Sequence, residues 1–325
     1  MIGATTRTCF GSSATTMNKI GFWALAWVAC SGTELPEPKI DDTPAGLLAH
    51  DTSFVLSTDQ GAEVRFDYYA AAAGVDTASV DGNAASPSHK LIIALPGWNH
   101  SASQYGEHSS LIRLAHARGY AVLLAHMGKS VYADSVYAET RSDYRLYPTS
   151  TWFSSQVWYE LERKLGLFPT CFVGLVGYST GARGAITLAI QRPEWVSAVA
   201  AWSGDYLPSL DYNDALLVNA MGPHSELPDR WDRADLCAQA MGVKCPVYLS
   251  HTYADEVVPM AHSQALCAAL DSSQVESNWV QDAGIKTVFL IKGGHNWDYW
   301  ASQVLPSLNF FDRVYEKGIF GQVEK

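Results

Sequence analysis

The sequence predicts a doubly wound α/β fold around a mostly parallel sheet, on three observations. Short apolar runs alternate with helix-length segments of roughly ten to seventeen residues, the rhythm that lays helices on both faces of a parallel sheet. The chain has 325 residues and 48% hydrophobic content, enough to bury one sizeable core. The third is a run of apolar residues that drives straight into Gly177-Tyr178-Ser179-Thr180-Gly181, with a small-residue segment of helical spacing leaving it.

Taken in order, Lys90–Leu95 reads as a central strand because its apolar run is unbroken, and it ends at Pro96-Gly97-Trp98-Asn99-His100. Tyr120–Ala125 is a second strand of the same kind. Cys171–Val176 leads into the pentapeptide, and Ala182–Gln191 follows as a helix with Ala185, Leu188 and Ala189 at core spacing. Val196–Trp202 and Pro246–Ser250 read as further strands, the second running into Tyr253-Ala254-Asp255-Glu256-Val257-Val258-Pro259. Lys286–Ile291 breaks at Gly293-Gly294 and delivers His295 into a loop before a helix predicted over Trp297–Phe311. Two segments interrupt this pattern. Gly128–Thr151 is polar and tyrosine-rich, with Arg141, Asp143 and Arg145 close together; Ser203–Leu236 is rich in Pro, Asp and Tyr, with one helix over Asp214–Met221. Together they read as a small lid or loop insertions at the substrate-binding rim. Arg141 or Arg145 could grip a substrate carboxylate, but an ion pair with Asp143 is the preferred reading.

A G-x-S-x-G between strand and helix is a nucleophile elbow, whose tight turn exposes the serine hydroxyl above the sheet. Ser179 is therefore the candidate nucleophile. A serine hydroxyl is a poor nucleophile at neutral pH, so it needs a base, an orienting acid and an oxyanion hole. His295 is the candidate base and Asp255 the candidate acid, giving the chain order Ser, Asp, His. His251 is the rival base, but it precedes the acid and reads as structural. Asp205, following the strand Val196–Trp202, is the rival acid. Glu256 and Asp298 read as solvent-facing or capping carboxylates, Asp298 complementing the dipole of the last helix. The backbone N–H groups of Thr180 and Trp98 are the candidate oxyanion donors, each typically worth about 3 kcal/mol to a tetrahedral intermediate.

From Lys90 to Phe311 these features resemble the α/β-hydrolase superfamily. Gly177-Tyr178-Ser179-Thr180-Gly181-Ala182-Arg183-Gly184-Ala185 and Gly293-Gly294-His295-Asn296-Trp297-Asp298-Tyr299-Trp300 are similar to the esterase D and feruloyl-esterase-like branch. The resemblance implies a carboxylesterase or acyl hydrolase that needs no cofactor. Two positions depart from it: Tyr178 stands where His is common before the serine, and the oxyanion loop is Pro-Gly-Trp rather than His-Gly. Two alternatives stand beside the esterase, a serine peptidase of the prolyl-oligopeptidase kind and a non-catalytic binding protein on the same fold.

A formal net charge of −11 and the lack of a basic run argue against nucleic acid or an anionic membrane surface as partner. Neutral or cationic small molecules fit better. Many of the 11 Trp and 16 Tyr fall in predicted loops, Trp98, Tyr105, Tyr144 and Trp231 among them, as packing under loops or as an aromatic-lined pocket. No C-x-x-C pair, histidine cluster or phosphate loop suggests a metal or nucleotide cofactor. Met17-Asn18-Lys19 followed by the apolar Ile20–Cys30 reads as a signal segment, with Met1–Thr16 an upstream start or an extension of it. Val28-Ala29-Cys30-Ser31 is close to a lipobox, so Cys30 is a candidate lipid anchor. The expected organisation is a signal over residues 1–30, a linker over 31–50 and a catalytic domain over 51–325, exported to the periplasm or the cell exterior. Export would allow up to two disulfides among Cys171, Cys237, Cys245 and Cys267, with connectivity open.

Overall fold

The computed structural model describes residues 51–71, 90–144, 149–165, 171–274 and 285–318. The chain divides into two units, residues 1–41 and 42–325, and every described residue belongs to the second. The expected signal, Cys30 and the linker lie outside the described residues, as do Arg145 and Tyr147.

Eight strands form one sheet: β1 (Thr52–Ser57), β2 (Glu63–Tyr69), β3 (Lys90–Leu95), β4 (Tyr120–Ala125), β5 (Phe172–Tyr178), β6 (Ala198–Trp202), β7 (Val247–Thr252) and β8 (Ile285–Leu290). Their spatial order is β1-β2-β4-β3-β5-β6-β7-β8, with β1–β2 and β2–β4 antiparallel and every other pair parallel. The helices are α1 (Gln104–Glu107), α2 (Leu111–Ala117), α3 (Thr149–Trp152), α4 (Trp158–Leu165), α5 (Thr180–Gln191), α6 (Ala215–Met221), α7 (Pro228–Arg233), α8 (Ala261–Gln274), α9 (Trp297–Ser302) and α10 (Val304–Glu316). This is the α/β-hydrolase architecture that the sequence predicts.

The central strands read as unbroken apolar runs because both of their faces are covered. Leu91, Ile93 and Leu95 of β3 join Ala182, Ala185 and Ile186 of α5 in one cluster, whereas Ile92 and Ala94 join Leu111 of α2 and Phe311 of α10 in the other. The β1–β2 hairpin has no counterpart among the predicted elements. Its strands lie at the sheet margin, and β1 buries Leu56 alone, so neither carries the continuous apolar signature.

The helix predicted over Trp297–Phe311 is two helices that meet at Gln303. Pro306 explains the break: it has no N–H to donate to the carbonyl four residues back, and its ring crowds that carbonyl, so a continuous helix would be interrupted there. The four domain cysteines are a second correction. No disulfide joins Cys171, Cys237, Cys245 or Cys267; burial pushes the Cys237 and Cys245 thiols up to about 12. No helix of the described residues is long and apolar enough to cross a membrane.

The two interrupting segments pack on each other around a small core of Val131, Leu217, Ala220, Met221 and Trp231, to which Trp98, Tyr137 and Tyr144 contribute. Thr140 donates its hydroxyl to the Ala220 carbonyl at 2.6 Å, and the Arg141 amide donates to Asn219 at 2.8 Å. Arg230 clamps the layer from the second segment, reaching Glu139 at 2.6 Å and the Met221 carbonyl at 2.9 Å with its guanidinium 4.1 Å from the Tyr137 ring centre. Asp214 caps α6 by accepting the Leu217 amide at 2.9 Å.

Candidate active site

Between β5 and α5, Ser179 holds φ 55° and ψ −129°, a conformation that costs an L-residue energy and that only a well-determined surrounding sustains. The surroundings are specific. The Ser179 amide donates to the Trp202 carbonyl at 2.9 Å, and α5 starts so close to β3 that a Cβ on Gly181 would stand 2.1 Å from the Leu95 oxygen. Glycine at this position is what lets the elbow form.

His295 arrives from the loop between β8 and α9 and presents Nε2 2.9 Å from Ser179 Oγ. Its Nδ1 lies 2.8 Å from Asp255 Oδ2. Asp255 sits in the loop after β7 with its side chain wholly out of solvent. Oδ1 accepts the Val257 and Val258 amides at 3.0 and 2.8 Å, and His251 Nε2 stands 3.3 Å from Oδ2. Burial alone would raise this carboxyl, but the hydrogen bonds from His251, His295 and the Val258 amide hold it well below the ordinary carboxylate range. Asp255 is thus a fixed anion. An acceptor-only carboxylate facing Nδ1 places the imidazole proton there and leaves Nε2 bare toward the serine.

The loop Pro96-Gly97-Trp98 lies against the nucleophile: a Cβ on Gly97 would come within 3.1 Å of Ser179 Cβ. The backbone N–H groups of Trp98 and Thr180 have no hydrogen-bond partner among the described residues. Unspent amides on the loop packed against the nucleophile and on the residue that follows it are the raw material of an anion hole. The Trp98 side chain packs on Tyr144, ring centres 4.3 Å apart, and so ties this loop to the lid layer.

The rivals go elsewhere. Asp205 accepts from Arg183 Nη1 at 3.2 Å, while the same guanidinium donates to the Asp205 and Ala234 carbonyls, both at 2.7 Å. Burial raises the Asp205 carboxyl more than Arg183 lowers it. The pair anchors the start of the second lid segment to α5. Arg141 pairs with Asp143 at 2.7 Å, the reading preferred from sequence. Glu256 and Asp298 face solvent.

Sequence reasoning passed over the aromatic floor beside the triad. Trp300 stacks on Tyr178 at 4.3 Å and meets the His295 ring edge-on at 5.1 Å. Tyr178, standing where His is common, reaches His100 Nδ1 at 3.1 Å with its hydroxyl. The signal was the Trp297-Asp298-Tyr299-Trp300 run, which α9 turns inward at Tyr299 and Trp300. No group of three or more His, Cys, Asp or Glu among the described residues could hold a metal ion.

Residues 118–311 match the model of the Esterase family, described as "Putative esterase". No curated protein sequence matches the chain. Among solved structures, an S-formylglutathione hydrolase from Agrobacterium tumefaciens is similar with a TM-score of 0.61 at 16% identity, covering 83% of this chain and 100% of that one. FphF, a fluorophosphonate-binding serine hydrolase of Staphylococcus aureus, is similar with a TM-score of 0.55 at 14% identity, covering 80% and 97%. A ferulic acid esterase gives a TM-score of 0.55 at 14% identity, covering 81% and 98%.

Proposed function

The chain belongs to the Esterase family and is a carboxylic ester hydrolase, and from that premise we propose that it cleaves acyl esters of small molecules through an acyl-serine intermediate on Ser179. The observation that carries the reading is the unbroken hydrogen-bonded line from Ser179 Oγ through His295 to Asp255, with links of 2.9 and 2.8 Å. His295 Nε2 takes the serine proton as Oγ attacks the ester carbonyl. Asp255 keeps the other imidazole proton on Nδ1 and stabilises the imidazolium that forms. The oxyanion accepts from the Trp98 and Thr180 amides. His295 then protonates the departing alcohol, the carbon–oxygen bond breaks, and water repeats the sequence to release the acid and restore Ser179.

Specificity in this reading belongs to the lid layer, through Trp98, Tyr144 and the residues of both interrupting segments. The net charge of −11 favours neutral or cationic esters over polyanionic ones. We further propose export, supported by the apolar Ile20–Cys30 and by Val28-Ala29-Cys30-Ser31, with Cys30 as the lipid attachment point. Intact-mass analysis of the membrane fraction tests it: a cleaved, diacylated N-terminus at Cys30 supports anchoring, and an unprocessed chain in the soluble fraction overturns it.

Fluorophosphonate labelling, run beside hydrolysis of p-nitrophenyl acetate, butyrate and longer esters, tests the catalytic reading. Wild type labels and turns over; Ser179→Ala loses labelling and at least about 10⁴-fold in kcat. A Ser179→Ala protein that keeps full ester hydrolysis sinks the assignment. Cleavage of peptides but not esters moves it to the peptidase reading, and a folded wild type that never labels moves it to a binding protein.

A further inference from the structure

We propose that His251 and Ser263 are positioning residues for this hydrolysis, a second, buried imidazole and its supporting hydroxyl that hold the carboxylate of Asp255 on the same oxygen that His295 uses. The inference rests on the triad reading above and extends it beyond three residues.

His251 is the penultimate residue of β7, and its side chain, like that of Asp255, is wholly out of solvent. Its Nε2 stands 2.9 Å from the Val258 carbonyl and 3.3 Å from Asp255 Oδ2. Both neighbours can only accept, so Nε2 carries the proton and divides it between them. Its Nδ1 lies 2.7 Å from the Ser263 hydroxyl on α8, which is also fully buried. With the imidazole neutral, Nδ1 is bare and Ser263 Oγ–H donates to it, fixing the tautomer in the way that a buried hydrogen-bond partner does for a metal-ligating histidine.

The consequence is a loop locked at both ends. Val258 gives its amide to Asp255 Oδ1 at 2.8 Å and receives His251 on its carbonyl, so the turn from 255 to 258 is bolted to β7 and, through Ser263, to α8. The carboxylate cannot rotate without abandoning a buried donor, which costs about 1–3 kcal/mol for each bond lost. Its Oδ2 therefore stays aimed at His295 Nδ1. The full line runs Ser263, His251, Asp255, His295, Ser179 and joins α8, packed against β7 and β8, to the nucleophile. His262 of α8 is a further titratable group that His251 influences.

A merely structural histidine and a positioning one differ in what their loss does to the chemistry. Taking a donor away from Oδ2 leaves more negative charge for His295 alone, which favours the imidazolium and moves the acid limb of the kcat/KM profile to higher pH. The experiment compares His251→Leu, which removes the donor, with His251→Gln, which keeps an N–H near Nε2, and with Ser263→Ala, the mildest change. Each is measured for kcat and KM on p-nitrophenyl butyrate, for the rate of fluorophosphonate labelling and for the pH profile. His251→Leu is expected to lose about tenfold or more in kcat with KM within twofold, and its acid limb to move up by about half a pH unit. His251→Gln stays within about threefold of wild type, and Ser263→Ala shows a smaller loss with its acid limb moved in the same direction. If His251→Leu does not fold, Ser263→Ala decides. An unmoved acid limb in the folded variants, or losses that merely follow the amount of folded protein, overturns the proposal. A wild type that labels and hydrolyses while these variants match it refutes the positioning role alone; a wild type that never labels takes the triad reading down first.

Discussion

Gly181→Ala puts the closeness of the elbow to β3 under direct test. A Cβ there would lie 2.1 Å from the Leu95 oxygen and 2.6 Å from the Pro96 oxygen, both main-chain atoms that no rotamer change can move aside. Bringing the nearer contact out to 3.0 Å requires the start of α5 and the end of β3 to part by about 1 Å. Those two pieces carry the two proposed oxyanion donors, Thr180 on α5 and Trp98 two residues beyond Pro96. The substitution therefore strains the core and spreads the anion hole together. Overpacking of this kind costs about 1–3 kcal/mol, a Tm drop of about 2–5 °C for a domain of this size. A 1 Å misplacement of catalytic groups costs about 10²-fold in rate, and it should fall on kcat rather than KM because the oxyanion forms only after binding. The assay is thermal unfolding beside kcat and KM on p-nitrophenyl butyrate. A Gly181→Ala enzyme with lowered Tm and unaltered kcat would refute the coupling between elbow and anion hole, and one with native Tm would refute the contact itself.

Asp255→Asn is expected to lower kcat by about 10³–10⁴-fold, because a neutral amide neither fixes the Nδ1–H tautomer nor stabilises the imidazolium. It should also destabilise: four donors converge on the carboxylate, and either amide orientation sets an NH₂ against some of them, to be read as lost denaturation midpoint. His262 supplies a pH prediction. Burial, and then the nearby Arg183, lower it from 6.5 to about 4, and its Nδ1 accepts the Tyr206 and Leu207 amides, both at 3.2 Å. The unfolded chain binds this proton near 6.5 and the folded one only near 4, so the contribution is complete above the higher value and is lost as pH falls through the window. Linkage sets the loss at about 3 kcal/mol. His262→Asn, which keeps an acceptor near Nδ1 and does not titrate, should flatten the fall in urea stability between those pH values; an unchanged slope would rule the assignment out. Arg230→Ala removes the clamp between the lid segments and should raise KM several-fold with little change in fluorophosphonate labelling of Ser179, with an unaffected KM counting against a lid role.

What could be read in the sequence was whatever a strand or a turn writes locally. β3 and β4 are foreseen to the residue because being buried on both faces forces an unbroken apolar run, and the elbow is foreseen because backbone contact demands its glycines, Gly181 against β3 and Gly177 against the first turn of α5. The β1–β2 hairpin escapes because β1 buries a single side chain and β2 mixes its buried apolar residues with charged ones, and the split at Gln303 escapes because apolar periodicity runs on through Pro306 and hides it.

The site divides along the same line. Ser179, Asp255 and His295 each end a strand or follow one within a few residues, so strand detection places all three at one edge of the sheet, and chemistry then orders them. The acid is where this logic strains, since Asp205 and Asp255 both follow strands. What separates them is the company each keeps, and that is only partly local. Arg183, four residues past the nucleophile, holds Asp205 to α5, while Asp255 gathers two amides from its own turn and imidazoles from β7 and from the loop after β8. A cation beside one carboxylate and histidines beside the other are opposite electrostatic instructions: the first spends the negative charge on anchoring the lid, the second keeps it available for an imidazolium that exists only during turnover. The division of labour between the two aspartates is therefore completed by residues 22 and 40 positions away in the chain, the span from Asp205 back to Arg183 and from Asp255 on to His295, and it becomes visible only when the sheet brings them together.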